Sequence, residues 1–251
     1  MKLLDTFAGI GGFSLGLESS GMETIAFCEI EDYPRKVLAK NWPGIPIAKD
    51  VTKLNYKDEV LYDDGQEIYR GPIDVISGGF PCQDISVAGN QAGIEEGTRS
   101  GLWSECARLL REIQPKYAIY ENVTALLSGD SGGWFQRVLS DISEVGYDAE
   151  WHCIQPDFVG IPTIRDRVWI LSYPKEKHVA QVVDSRRLSL EHRRMGADHL
   201  SRFGWAVDGS QMGRDSNGVP DVTHRFGCLG NAVVPQIPEL IGRAIMESHN
   251  D

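Results

Sequence analysis

Near the amino terminus the run Lys2-Leu3-Leu4-Asp5-Thr6-Phe7 passes directly into Ala8-Gly9-Ile10-Gly11-Gly12-Phe13. An apolar run of this length reads as a buried strand. Glycines immediately after it let the chain turn sharply into a helix and let a ligand approach the backbone. The alternation then repeats. Strands are expected at Lys2–Phe7, Thr24–Cys28, Ile73–Ser77, Tyr117–Tyr120, Ala149–Ile154 and Val168–Ser172, and helices at Phe13–Ser19, Tyr33–Lys40, Leu102–Ile113 and Trp134–Val145. This order predicts a doubly wound α/β fold with a mostly parallel sheet, whose ligands sit beyond the carboxyl ends of the strands.

The pattern divides the 251 residues into three parts. Residues 1–174 form the expected catalytic and cofactor-binding domain. Residues 175–224 turn polar, rich in Arg and Gly, without a clear period, and read as a short irregular segment. Residues 225–251 regain an apolar pattern, with a helix from about Ile237 to Met246 that returns to the first domain. The net charge of −11 is unusual for a nucleic-acid enzyme, because phosphate contacts supply most non-specific affinity. It is unevenly distributed: residues 1–174 hold 15 Lys+Arg against 26 Asp+Glu, whereas residues 175–225 hold 9 against 7. Five widely spaced cysteines without a CxxC pair argue against a disulfide framework or a zinc site. The first residues meet an acid and then glycines before any long apolar run, so neither a signal peptide nor a membrane span is expected, and the default location is cytoplasmic.

Acidic residues follow the glycine turn at telling places. Glu29 ends the next strand, about 20 residues on, where a carboxylate can take both ribose hydroxyls. Asp50 follows a further strand-like segment and is placed to accept from an adenine amino group. The spacing is not a strict GxGxxG, which counts against a dinucleotide. Such a turn also serves plain strand-to-helix packing, and Asp5 reads equally as a cap.

The strand Ile73–Ser77 leads into Gly78-Gly79-Phe80-Pro81-Cys82-Gln83-Asp84-Ile85-Ser86, so Cys82 stands where such a fold carries its active site. A cysteine beside Phe and Pro also reads as a small buried hydrophobe. Later come Glu121-Asn122-Val123 at a strand end, Arg165-Asp166-Arg167 before a strand, and Gly230-Asn231-Ala232-Val233-Val234-Pro235 before the last helix.

Taken in order, these blocks resemble the DNA cytosine-5 methyltransferase family, of the small bacterial and phage type. The resemblance implies a class I S-adenosylmethionine-dependent methyltransferase of Rossmann-like fold. It further implies methyl transfer from S-adenosyl-L-methionine to carbon 5 of a flipped-out cytosine through a covalent adduct with Cys82. On this resemblance Glu121 serves the cytosine ring, Arg165 steadies the oxygen side of the base, and Arg167 organises the pocket or a phosphate. Cofactor contacts are expected from Asp5, Phe7, Gly9, Gly11, Gly12, Glu29, Ile30, Asp50, Val51, Pro81, Leu102, Asn231 and Val233. DNA contacts are expected from Gln83, Ser86, Arg99, Arg186, Arg187, Arg193 and Arg194, the last four in the segment that serves target recognition. The implied partners are double-stranded DNA and a cognate restriction endonuclease, with a monomer in the cytoplasm of a bacterial or phage-infected cell, no membrane contact and no metal.

The sequence departs from the family in three places. Thr163 replaces the usual glutamine, Ile30 stands where an aromatic is frequent, and the target-recognition segment is short. Arginines interleaved with Asp184, Glu191 and Asp198 also read as a solvated helix face. Rival readings are a non-catalytic DNA-binding relative, transfer to RNA, and a nicotinamide-dependent oxidoreductase. Intact Cys82, Glu121 and Arg165 disfavour the first. The imperfect glycine spacing and the lack of a Tyr-x-x-x-Lys pattern disfavour the last.

Overall fold

Strand β1 (Lys2–Thr6) is buried along nearly its whole length, as a continuous apolar run in the middle of a sheet requires. The computed structural model describes residues 1–81, 102–161, 165–176 and 231–250. After β1 come α1 (Gly12–Ser19), β2 (Glu23–Cys28), α2 (Asp32–Asn41) and the short β3 (Ile47–Ala48). A small antiparallel sheet follows, made of β4 (Leu54–Lys57), β5 (Val60–Asp63) and β6 (Gln66–Arg70). The main sheet resumes with β7 (Val75–Gly78), α3 (Trp103–Ile113), β8 (Tyr117–Val123), α4 (Ala125–Ser128), α5 (Gly133–Glu144), β9 (Tyr147–Ile154) and β10 (Arg167–Pro174). The last described helix is α6 (Gln236–Asn250).

The seven-stranded sheet has the order β3-β2-β1-β7-β8-β10-β9. Neighbours from β3 to β8 are parallel, whereas β10 is antiparallel to both β8 and β9. The expected doubly wound, mostly parallel sheet is present with one reversed strand. The chain winds from β1 out to β3 and then returns to place β7 on the other side of β1. Their carboxyl ends therefore form the switch point where such folds bind ligands.

Alternation along the central strands builds two cores. Ala118 and Tyr120 of β8, with Ile76 and Ile170, pack against Leu109 and Leu110 of α3 and Val138 and Ile142 of α5. Tyr117 and Ile119, with Leu3, Val75 and Leu171, pack against Phe13 and Leu17 of α1 and Leu240 and Ile241 of α6. The helix expected at Ile237–Met246 is thus present and extended at both ends. No helix among the described residues is long and apolar enough to cross a membrane.

The β4–β6 sheet was not anticipated. Its two connections are two-residue turns with positive φ at both positions, Asp58 and Glu59 (53° and 57°), then Asp64 and Gly65 (48° and 80°). This is the geometry that joins twisted antiparallel strands. Asp64-Gly65 is a readable hairpin signal, but Asp58-Glu59 is not.

Candidate active site

The glycine turn after β1 is held from behind. The N–H of Ala8 donates to the Cys28 carbonyl at 3.0 Å and that of Gly11 to the Ala8 carbonyl at 2.9 Å. Gly9 and Gly11 adopt φ of +54° and +89°, and Phe7 also lies in the left-handed region at +52°. A Cβ on Gly11 would lie 2.6 Å from the Trp42 ring, while no atom of the described residues lies within 4 Å of a Cβ on Gly9. The turn therefore leans on Trp42 at one glycine and opens outward at the other. The Trp42 indole is itself fixed, its N–H shared by both carboxylate oxygens of Glu18 at 3.0 and 2.9 Å.

Glu29, at the end of β2, accepts the Gly9 N–H on Oε2 at 2.7 Å and the Glu31 N–H on Oε1 at 2.8 Å. Beside it, the Glu29 N–H donates to Ala48 at the end of β3, which brings Glu29 and the following Asp50 turn to one edge of the sheet. Asp50 Oδ1 accepts both the N–H and the hydroxyl of Thr52. Val51 is buried beneath this turn, and Ile30 stands 62% exposed beyond Glu29.

Asp5 behaves differently from a residue that touches a cofactor. It is fully buried, accepting from the Ser14 N–H and hydroxyl on one oxygen and from the Ser77 hydroxyl on the other. Burial raises its pKa to about 7 against the pull of those donors. Asp5 is thus an internal cap of α1 and a tie between α1 and β7, the alternative role open from sequence. Gly12 likewise faces inward, with a Cβ there falling 2.5 Å from the Val233 carbonyl. Val233 and Val234 pack against the α1–α6 core, which brings the carboxyl-terminal segment beside the first helix. Asn231 is exposed at the start of that segment, and Leu102 leads into α3, packed on the other core.

Beyond the end of β7, Phe80 is buried against Trp103 and Pro81 is the last described residue before Cys82. Cys82, Gln83, Ser86, Arg99, Arg186, Arg187, Arg193 and Arg194 lie outside the described residues. Asn122, for which the sequence offered no role, donates to the Phe80 carbonyl at 3.2 Å and so ties this segment to β8.

Glu121 is the chemical centre of what is described. Only 8% exposed, it forms an ion pair with Arg167, Nε to Oε1 at 2.9 Å, and its Oε2 would be 3.4 Å from a Cβ on Gly79. A buried carboxylate thus faces the backbone that leads to Cys82. Desolvation raises its pKa above the ordinary carboxylate value, opposed by the charges of Arg167 and Arg165. Arg165, expected to steady the base, donates through Nη1 to the Ala232 carbonyl at 2.5 Å, and its buried Nε has no hydrogen-bond partner among the described residues. The direct contact with Glu121 belongs to Arg167.

The structure thus gathers a glycine turn, a carboxylate at the end of β2 and a buried Glu121–Arg167 pair at the carboxyl ends of the central strands. The match to the C-5 cytosine-specific DNA methylase family runs over residues 1–202. The chain belongs to that family.

Its relatives include the Type II methyltransferase M2.BsuMI of Bacillus subtilis, 31% identical over 211 residues, covering 82% of this chain and 51% of the relative. The Type II methyltransferase M.HhaI of Haemophilus parahaemolyticus is 31% identical over 179 residues, covering 71% and 51%. This methylase-family chain therefore spans about half the length of each. Among solved structures, a protein encoded within an E. coli prophage and described as a DNA modification methyltransferase superposes with a TM-score of 0.59 at 26% identity, covering 74% of this chain and 49% of that one. The S. pombe Dnmt2 methyltransferase shares the fold, with a TM-score of 0.53 at 19% identity over 72% of this chain and 53% of that one.

Proposed function

We propose that this methylase-family chain transfers a methyl group from S-adenosyl-L-methionine to carbon 5 of a cytosine in double-stranded DNA, with Cys82 as nucleophile. The single observation that carries this reading is the buried Glu121–Arg167 pair set against Gly79, three residues before Cys82.

The residues present fit an adenosyl group. Gly9 leaves open the space a side chain would fill, and the Glu29 carboxylate has lone pairs beyond the two taken by backbone N–H groups, enough for ribose hydroxyls. Asp50 and Val51 stand at the next strand end for the adenine. When bound, the cofactor supplies the methyl group as an electrophile.

The chain's own residues must make carbon 5 of cytosine nucleophilic. The Cys82 thiolate adds to carbon 6 and pushes electron density into the ring. Glu121, whose pKa burial raises above the ordinary carboxylate value, takes up a proton when the base is engaged and donates a hydrogen bond to ring nitrogen 3 as negative charge develops there. Arg167 holds the Glu121 carboxyl in place. After methyl transfer, the carbon 5 proton leaves to solvent base, the sulfur–carbon 6 bond breaks, and Cys82 departs as thiolate. Carbon 6 is unreachable in stacked duplex DNA, so the cytosine is flipped out.

The recognition arginines Arg186, Arg187, Arg193 and Arg194, with Gln83, Ser86 and Arg99, are assigned to DNA. The Type II names of the relatives support a restriction–modification role, with a cognate endonuclease as partner and a monomer acting in the bacterial or phage-infected cytoplasm.

The test is incubation with tritiated S-adenosylmethionine and either cytosine-rich duplex DNA or tRNA, followed by nucleoside analysis. Label in 5-methylcytosine from DNA, absent with Cys82→Ala, supports the reading. Label from tRNA alone reassigns the substrate, and no label despite cofactor binding marks a non-catalytic relative.

A further inference from the structure

We propose that Arg108 is a positioning residue for the cofactor site, holding from α3 the turn that presents Asp50 to the adenine. This rests on the cofactor reading above and adds to it a residue remote from the glycine turn in sequence.

The guanidinium of Arg108 is committed on every side. Nε donates to Glu105 Oε2 at 2.8 Å, Nη1 to Glu112 Oε1 at 2.8 Å, and Nη2 to the Val51 carbonyl at 3.0 Å. Glu105 and Glu112 lie three residues before and four after it on the same helix, so they lock the fork into one orientation before it reaches out. Glu112 extends the link, its second oxygen accepting the Tyr56 N–H on β4 at 3.1 Å. One face of α3 thereby grips residues 51–56.

The segment it grips is also held from the end of β5, where the Asp64 N–H donates to the Lys53 carbonyl at 3.1 Å, and by the Leu54 N–H, which shares the Val51 carbonyl. Residues Val51–Lys53 form a single 3-10 turn, in which the Lys53 N–H returns to the Asp50 carbonyl at 2.9 Å. The Asp50 carboxylate is aimed by accepting from Thr52 inside that turn. Its direction therefore follows the turn, and what ties that turn to α3 is one charge-assisted hydrogen bond to the Val51 carbonyl, beside the buried Val51 side chain. An arginine serving only to solvate its helix would pair along the helix and point into water. Arg108 has a side chain only 28% exposed and spends a donor on the backbone of another element.

Calorimetric titration with S-adenosylhomocysteine separates this role from a merely structural one. It is run on the full chain and on Arg108→Met, Arg108→Lys, Asp50→Asn and the Arg108→Met/Asp50→Asn double variant. Arg108→Met is expected to weaken binding about tenfold, as removing a charge-assisted hydrogen bond that sets a contact does. Arg108→Lys, which keeps the charge but not the fork, is expected to recover only part of that and stands in if the methionine variant does not fold. The decisive comparison is non-additivity: the double variant binds no more weakly than Asp50→Asn alone. In turnover assays the loss falls on the KM for the cofactor and not on kcat. Unchanged affinity in both Arg108 variants, or losses that multiply in the double variant, overturns the proposal. Failure of the unsubstituted protein to bind S-adenosylhomocysteine removes the cofactor reading itself, and the proposal with it.

Discussion

Arg167 stands opposite Val123 in the β8–β10 register and reaches diagonally to Glu121, its Nε 2.9 Å from Oε1. Because the carboxylate is nearly enclosed, removing the guanidinium leaves a buried charge without a partner. Arg167→Met is expected to cost about 2–3 kcal/mol near neutral pH, at or just below the range for fully buried pairs, since the guanidinium keeps some contact with water. Glu121→Gln in the same chain should restore most of it. The deficit of Arg167→Met should shrink as pH falls through the raised folded pKa of Glu121, below which the carboxyl is neutral in both folded proteins. Urea unfolding of the four-member cycle at two pH values measures this.

Asp5 makes a second pH-dependent contribution. Its folded pKa of about 7 lies above the ordinary value of 3.8, so between those values the folded protein binds a proton that the unfolded chain releases. That contribution is fully present below about pH 4 and is lost as pH rises through 7. Asp5→Asn can still accept from Ser14 and pair with the Ser77 hydroxyl. Its melting temperature should decline less than that of the unsubstituted protein between pH 5 and pH 8, as followed by circular dichroism. Parallel curves for the two proteins would place Asp5 outside this linkage.

The crossing of α1 and α6 depends on the absence of side chains. A Cβ on Gly16 would lie 2.1 Å from the Pro235 carbonyl, and one on Gly242 2.3 Å from the Ser20 hydroxyl. Gly16→Ala should destabilise by about 1–3 kcal/mol despite the better helix propensity of alanine, because backbone must move aside. Ser19→Ala, on the outer side of the same helix, should change stability by less than about 0.5 kcal/mol. Denaturant midpoints of the two variants give the comparison.

Glu29 holds the Gly9 N–H and, on the proposed reading, the ribose as well. S-adenosylhomocysteine at 100 times its dissociation constant should stabilise the unsubstituted protein by about 2.7 kcal/mol through mass action alone. Glu29→Ala should abolish most of the resulting shift in melting temperature at the same ligand concentration. A shift of undiminished size would assign the ribose to other groups.

Much of this was legible because strands such as Leu3-Leu4 and Ile119-Tyr120 are apolar on consecutive positions, and because the glycines and Glu29 mark strand ends directly. Strand direction was not legible. Val168–Leu171 has the same apolar character whether β10 runs with the sheet or against it. The Asp58-Glu59 turn was hidden because its positive φ angles fall on residues that rarely adopt them. Asp5 and Arg165 were assigned by position in a motif, but what a carboxylate or guanidinium faces depends on elements far along the chain, here Ser77 and Ala232. Arg108 carried no signal at all, since an arginine between two glutamates on a helix looks like ordinary surface charge.

The packing of Gly12 and Gly16 against residues 233–238 bears on how the molecule is made. The floor of the glycine turn is supplied by a segment more than 200 positions downstream, so a nascent chain that has released all of residues 1–174 still lacks it. Such distant pairings assemble slowly. Helix α1 therefore waits for its partner until α6 has been made.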